Sequence, residues 1–252
     1  MFNKDKRRKN RDILTPEESR KTLGDNLSFA AAEAYKLLRT NLDFSLPGVE
    51  GCKIIGVTSA LKGEGKSTSA VNIAYTMAQT GKNVLLLEMD MRLPTLAKRL
   101  RVQAKPGLSN LLVGQCSGND ILQKSGLLPN LWVATAGDIP PNPTELMGSQ
   151  NMKKTIQALA EIFEVIVVDL PPVNVVTDAM IAAKLVHGMI LIVRQDYCDR
   201  GSVEKAVRQL RFVDTKILGF VMTGAGGTSG SYKKYGGYDG YGGYRKTALK
   251  NQ

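Results

Sequence analysis

Six short apolar runs punctuate the chain: Ile54–Val57, Val84–Leu87, Leu131–Ala134, Val165–Val168, Met189–Val193 and Ile217–Met222. Most are apolar at every position and too short for a helix, which marks strands buried on both faces. Helical spacing predicts helices over Ser28–Asn41, Ser67–Gln79, Met152–Glu161 and Ser202–Phe212. In the first of them Ala30, Ala34, Leu37, Leu38 and Leu42 fall near one face. Strands alternating with helices predict an α/β fold: a mostly parallel sheet flanked by helices on both faces.

The ends read differently. The stretch to about Asp25 is polar, with Thr15-Pro16-Glu17-Glu18 as a candidate helix start. Beyond Thr223 the chain turns to glycine, tyrosine and lysine without an apolar period, the composition of a disordered tail. The expected organisation is a flexible basic segment at 1–27, one domain at 28–223 and a tyrosine-rich tail at 224–252.

Charge sharpens this division. Of the net +11, residues 1–12 carry +4 and residues 230–252 another +4, which leaves only +3 for the body between them. A nucleic-acid-binding domain is basic on its folded face, whereas this chain is basic at its ends. The tails suit an anionic surface or simple solvation, and nucleic acid is not an expected partner. No run of about 18 apolar residues exists to span a bilayer, and the charged start is no signal peptide. Three scattered cysteines (Cys52, Cys116 and Cys198) suit a reducing cytosol better than a disulfide framework or a metal site. His187, the only histidine, lies between a helix and a strand and reads as structural.

The chemistry starts at Ala60-Leu61-Lys62-Gly63-Glu64-Gly65-Lys66-Ser67, placed directly between a predicted strand and a predicted helix. The spacing is that of the P-loop, with alanine replacing the first glycine. Its glycines let backbone N–H groups curl around phosphate oxygens, and the following helix aims its positive end at them. Lys66 would neutralise the β- and γ-phosphates of ATP, and Ser67 would ligate magnesium, with Lys62, Gly63, Glu64, Gly65 and Thr68 completing the nucleotide cradle.

Two further strand ends carry acids. Asp169 follows Val165–Val168, the arrangement in which a carboxylate holds the metal's water shell. Glu88 and Asp90 follow Val84–Leu87, and alternation along an extended segment points both the same way. Strand ends become polar wherever they meet water, but two such runs on one sheet edge suggest convergence. Ser67, Glu88, Asp90 and Asp169 are therefore the candidate metal set. Lys66, Glu88, Asp90 and Asp169 are the candidate catalytic residues, with Asp90 or Glu88 orienting an attacking hydroxyl and taking its proton. Arg92 could neutralise the acids, reach the phosphates or form a surface ion pair.

Together these pieces resemble the bacterial tyrosine kinases of capsule and exopolysaccharide synthesis, in their separate cytoplasmic Gram-positive form. The resemblance rests on Glu33–Asn41, the P-loop, Glu88–Arg92, Lys105–Ser109, Ala136–Leu146, the Asp169 segment and a C-terminal tyrosine cluster. It implies a P-loop NTPase fold of the MinD/ParA-related group and an ATP- and magnesium-dependent protein tyrosine kinase. It further implies autophosphorylation between subunits of a ring-like homo-oligomer, on Tyr232, Tyr235, Tyr238, Tyr241 and Tyr244. Glu33, Lys36 and Arg39 would contact the neighbouring subunit, although their spacing alone indicates only a solvated helical pair. The implied partners are a transmembrane chain-length-regulator-like adaptor, which recruits the chain to the inner face of the cell membrane, and a tyrosine phosphatase.

The sequence departs from the family pattern where Glu88 replaces aspartate, Lys36 replaces arginine and Thr223 replaces an asparagine near the adenine. Two other functions share the loop: a MinD/ParA-like ATPase switch and a non-catalytic nucleotide-binding scaffold. The switches carry a second lysine early in the loop, where this chain has Leu61.

Overall fold

The computed structural model describes residues 23–224. The candidate helix start at Thr15–Glu18 and all five tail tyrosines lie outside the described residues. A seven-stranded sheet runs in the order β3-β4-β2-β5-β1-β6-β7. Its strands are β1 (Lys53–Ser59), β2 (Val84–Glu88), β3 (Gln123–Lys124), β4 (Leu131–Ala134), β5 (Val165–Asp169), β6 (Gly188–Arg194) and β7 (Ile217–Thr223). Every pairing is parallel except the short β3 against β4.

Period-two alternation divides the strands between two cores. Ile55, Val57, Val84, Leu86, Val165, Val167, Ile190 and Ile192 pack on one face, beneath helices α1 (Phe29–Ser45) and α2 (Lys66–Ala78). Ile54, Leu85, Leu87, Ile166, Val168 and Leu191 pack on the other. There they meet Met152, Ile156 and Leu159 of α6 (Gln150–Ile162) and Ala206 and Leu210 of α8 (Arg200–Phe212). Helix α2 is buried along nearly its whole length, between the sheet and α1, so its apolar residues occupy every face. Four short helices complete the chain: α3 (Leu96–Leu100), α4 (Leu108–Leu112), α5 (Pro143–Gly148) and α7 (Asp178–Ala182).

Helix α1 packs by only part of the stripe that the spacing predicts. Leu42 is buried and Tyr35 and Leu38 pack partly against the core, whereas Ala30, Ala34 and Leu37 are exposed. Tyr35 joins the packed side, and its hydroxyl donates to Ser69 Oγ at 3.4 Å. Ser28 caps the helix by accepting from the Ala31 amide.

Chain direction places the site. From β1, α2 leads past β5 to β2, toward the β3 edge; from β5, the chain crosses over β1 to β6, toward the opposite edge. The carboxyl ends of the neighbouring strands β1 and β5 therefore flank a topological switch point, where a crevice opens for ligands.

Candidate active site

The loop joining β1 to α2 fills that crevice. Gly63 and Gly65 both adopt φ 89°, a region that side chains resist, and Gly65 is the N-cap of α2. Three consecutive loop carbonyls are held from outside. Lys62 O accepts from the Tyr197 hydroxyl (2.9 Å), Gly63 O from the Arg194 guanidinium (3.2 Å) and Glu64 O from the Thr223 hydroxyl (2.6 Å). The Glu64 side chain turns inward, its carboxylate accepting from the Leu61 amide at 2.6 Å and the Arg194 amide at 3.3 Å. Glu64 thus serves the cradle through its backbone and braces it with its carboxylate. With the carbonyls engaged on the outside, the planar peptides leave their N–H groups for an anion at the start of α2.

Lys66 reaches from the first turn of α2 to two carboxylates, Asp90 at 2.9 Å and Asp169 at 3.3 Å. Burial opposes its charge, yet Asp169 and Asp90 together raise its pKa above the usual lysine value. Asp169 is fully buried, and burial pushes its pKa up against the pull of Lys66. Its second oxygen, Oδ2, has no hydrogen-bond partner. A buried, unpartnered carboxylate oxygen in the same small crevice as Ser67 is costly unless a ligand completes it. The donor set of one carboxylate and one hydroxyl fits magnesium, which keeps several waters and takes further oxygens from phosphates.

Glu88 lies beside Asp169 in the β2–β5 register, but its carboxylate is committed elsewhere. Oε1 accepts from the amides of Thr95 (2.5 Å) and Leu96 (2.8 Å), and Oε2 from that of Ala136 (3.2 Å). Glu88 was expected to join Asp90 as a metal ligand or base; here its carboxylate is bonded to three backbone amides, whereas Asp90 pairs with Lys66. The Glu88 carboxylate thus lies at the start of α3. Burial, with added repulsion from Asp169, pushes the Glu88 pKa up to about 7. Asp90 is the acid that faces the loop, and it accepts from the Leu93 amide with its other oxygen.

Arg92 forms an ion pair, the third of the roles expected for it. It forks onto the buried Asp178 at 2.7 and 3.1 Å and donates to Thr144, which in turn donates to Asp178 at 2.8 Å. Thr68 accepts from Arg99 at 3.0 Å. Burial lowers the Arg99 pKa, although Asp169 and Glu88 oppose the shift. Lys105-Pro106-Gly107-Leu108-Ser109 docks on the strand end that leads into Ala136–Leu146, through Leu108 N to Thr135 O and Ser109 N to Ala136 O, both 2.8 Å. His187 is structural, its Nδ1 accepting from the Ile54 amide. On α1, Lys36 pairs with Glu33 at 2.7 Å, and Arg39 donates to Thr76 O of α2. Tyr197, Arg194, Asp178 and Arg99 had no sequence signal, since their partners lie 31 to 135 residues away.

The AAA domain family model matches residues 52–217. The tyrosine-protein kinase CpsD of Streptococcus agalactiae serotype III (strain NEM316) is 36% identical over 201 residues, covering 79% of this chain and 85% of the relative. The crystal structure of the chimerical protein CapA2B2 superposes with a TM-score of 0.75 at 31% identity, covering 81% of this chain and 88% of that one. At the level of fold alone, the septum site-determining protein MinD complexed with Mg-ADP from Pyrococcus horikoshii OT3 gives a TM-score of 0.58 at 22% identity, over 68% of this chain and 70% of that one. The kinase relatives cover 79% and 81% of the chain, against 68% for the MinD likeness. The chain belongs to the bacterial tyrosine-kinase family of capsular and exopolysaccharide synthesis, ATP-dependent kinases on a P-loop fold.

Proposed function

We propose that this chain transfers the γ-phosphoryl group of ATP to the tail tyrosines Tyr232, Tyr235, Tyr238, Tyr241 and Tyr244 of a neighbouring copy. The observation that carries the reading is Lys66, poised between Asp90 and Asp169 at the end of a fully braced phosphate loop. Phosphoryl transfer needs positioning and charge neutralisation more than covalent chemistry. When ATP enters, Lys66 exchanges its two carboxylates for the β- and γ-phosphates, and the loop amides bind the same oxygens. Asp90, released from Lys66, orients the tyrosine hydroxyl and takes its proton late in the transfer. Ser67 and Asp169 would hold magnesium, which supplies further neutralisation of the phosphate charge. Glu88 acts from behind, fixing α3 and the strand end at Ala136.

Self-assembly through α1 is part of the proposal. Phe29, Leu37 and Phe44 are 81%, 64% and 79% exposed, on the same side of the helix as the Glu33–Lys36 pair. Such an apolar stripe rimmed by charge suits a neighbouring subunit of a ring-like homo-oligomer. Family membership supports a transmembrane chain-length-regulator-like adaptor that recruits the chain to the inner face of the cell membrane, and a tyrosine phosphatase that resets the tail. No helix among the described residues is long and apolar enough to cross a membrane.

The test is incubation of the purified chain with labelled ATP and magnesium, with and without the adaptor's cytoplasmic segment, followed by mapping of the label. Label on the tail tyrosines, lost in Lys66→Met, is the expected result. ATP hydrolysis without protein label would show a nucleotide switch, and neither activity would show a scaffold.

A further inference from the structure

We propose that Tyr197 is a second phosphate acceptor, inside the folded domain, and that its modification loosens the ATP loop of the chain that carries it. Tyr197 sits on the turn between β6 and α8 and is 45% exposed. Its hydroxyl donates to Lys62 O at 2.9 Å and lies 3.1 Å from where a Cβ on Gly63 would stand. Its ring lies 5.4 Å from the Arg194 guanidinium carbon. It is thus both an outer brace of the phosphate loop and an accessible phenol.

Position makes it reachable by the enzyme that modifies the tail. The Gln195 amide donates to Thr223 O at 2.9 Å, and a Cβ on Gly224 would stand 3.3 Å from the Arg194 side chain. The Tyr197 turn is therefore stitched to the residue from which the tail departs. A neighbour that receives the tail tyrosines meets Tyr197 at the tail's root. The inference rests on transfer between subunits, as proposed above.

In the step itself, the Tyr197 phenol oxygen bonds to the γ-phosphorus of the neighbour's ATP. The bond from that phosphorus to the bridging oxygen breaks, and ADP leaves with its electron pair. The phenol proton passes to the neighbour's carboxylate at Asp90 and then to water. The product carries a charge of about −1.5 to −2 and has lost its donor. Lys62 O loses its partner, Arg194 is drawn from Gly63 O to the new phosphate, and the added charge repels the phosphates of incoming ATP. Two of the three outer braces fail together, and the chain's own nucleotide affinity falls.

The experiment mixes unlabelled active chain with isotope-labelled full-length Lys66→Met chain as acceptor, adds ATP and magnesium, and maps phosphotyrosine on the acceptor by mass spectrometry. Phosphate on both the acceptor's tail and Tyr197 is expected. Tail phosphate without Tyr197 phosphate overturns this inference and leaves transfer between subunits standing, whereas an unmodified acceptor overturns both. A fluorescent ATP analogue is then titrated into chain carrying tail tyrosines changed to phenylalanine, before and after modification at Tyr197. About tenfold weaker binding is expected after modification, against a loss of roughly threefold for Tyr197→Phe, which removes one brace without adding charge. Unchanged affinity after modification overturns the loosening.

Discussion

Glu88→Gln isolates the charge of a buried acid, and its effect on folding stability changes with pH. Burial pushes the Glu88 pKa up to about 7 in the folded protein, from an ordinary value of 4.5 in the unfolded chain. Below pH 4.5 the carboxyl is neutral in both states. As pH rises from there, the unfolded chain releases its proton first, while the folded chain keeps it until about pH 7. The folded state therefore loses stability across this window, by about 3 kcal/mol at 1.36 kcal/mol for each decade. Glutamine cannot ionise and escapes that loss. It does replace Oε2 by an amide NH2 facing the Ala136 N–H, which costs about 1 kcal/mol at every pH. Wild type and variant should thus be nearly equal in stability near pH 5, and wild type should trail by about 2 kcal/mol near pH 8. Urea unfolding of both proteins in chelator, from pH 5 to 8, reads the difference directly. Parallel stability profiles would refute the reasoning. They would mean that three backbone amides keep Glu88 ionised and that Lys66 fully masks the charge of Asp169.

Three further substitutions probe other contacts. Asp178→Asn leaves Arg92 without its buried carboxylate and should cost about 2–3 kcal/mol, less than a fully buried pair because the Arg92 side chain is 40% exposed; calorimetry would show Tm falling by roughly 4–10 °C. Thr223→Val removes the donor to Glu64 O and should weaken ATP binding several-fold by titration calorimetry, with stability changed by about 1 kcal/mol or less. Leu37→Glu places a charge on an exposed helix face, so light scattering should show a loss of self-association while Tm stays within a degree or two.

The sheet was legible because its strands are buried on both faces, so that each central run is apolar in every position and stands out against its flanks. The phosphate loop was legible for a local reason: two glycines at positive φ, a lysine and a serine must follow a strand in that order. Helices α3, α4, α5 and α7 escaped because five or six residues carry no periodic signal and are held by distant groups. The first amides of α3 are held by Glu88 on β2, and Arg92 and Thr144 fasten the buried Asp178 at the start of α7. The amide partners of Glu88 were hidden for the same reason. Alternation correctly puts it on the Asp169 side of the sheet, but nothing local reveals three amides waiting 7, 8 and 48 residues on.

The outer braces of the phosphate loop show what such distant contacts do for function. Lys62, Gly63 and Glu64 present carbonyls to Tyr197, Arg194 and Thr223, which lie 131 to 159 residues further along the chain. A glycine loop without them would sample many conformations, and ATP would bear the entropy of ordering it. With all three carbonyls held, the amides stand ready before the nucleotide arrives, which is the condition for strong electrostatic stabilisation of a developing charge. The same braces make the loop sensitive to the edge of the sheet. Thr223 is the last residue of β7, so the segment that follows it begins one hydrogen bond from Glu64 O. A change at the end of β7 therefore acts directly on the phosphate loop, through the Thr223 hydroxyl.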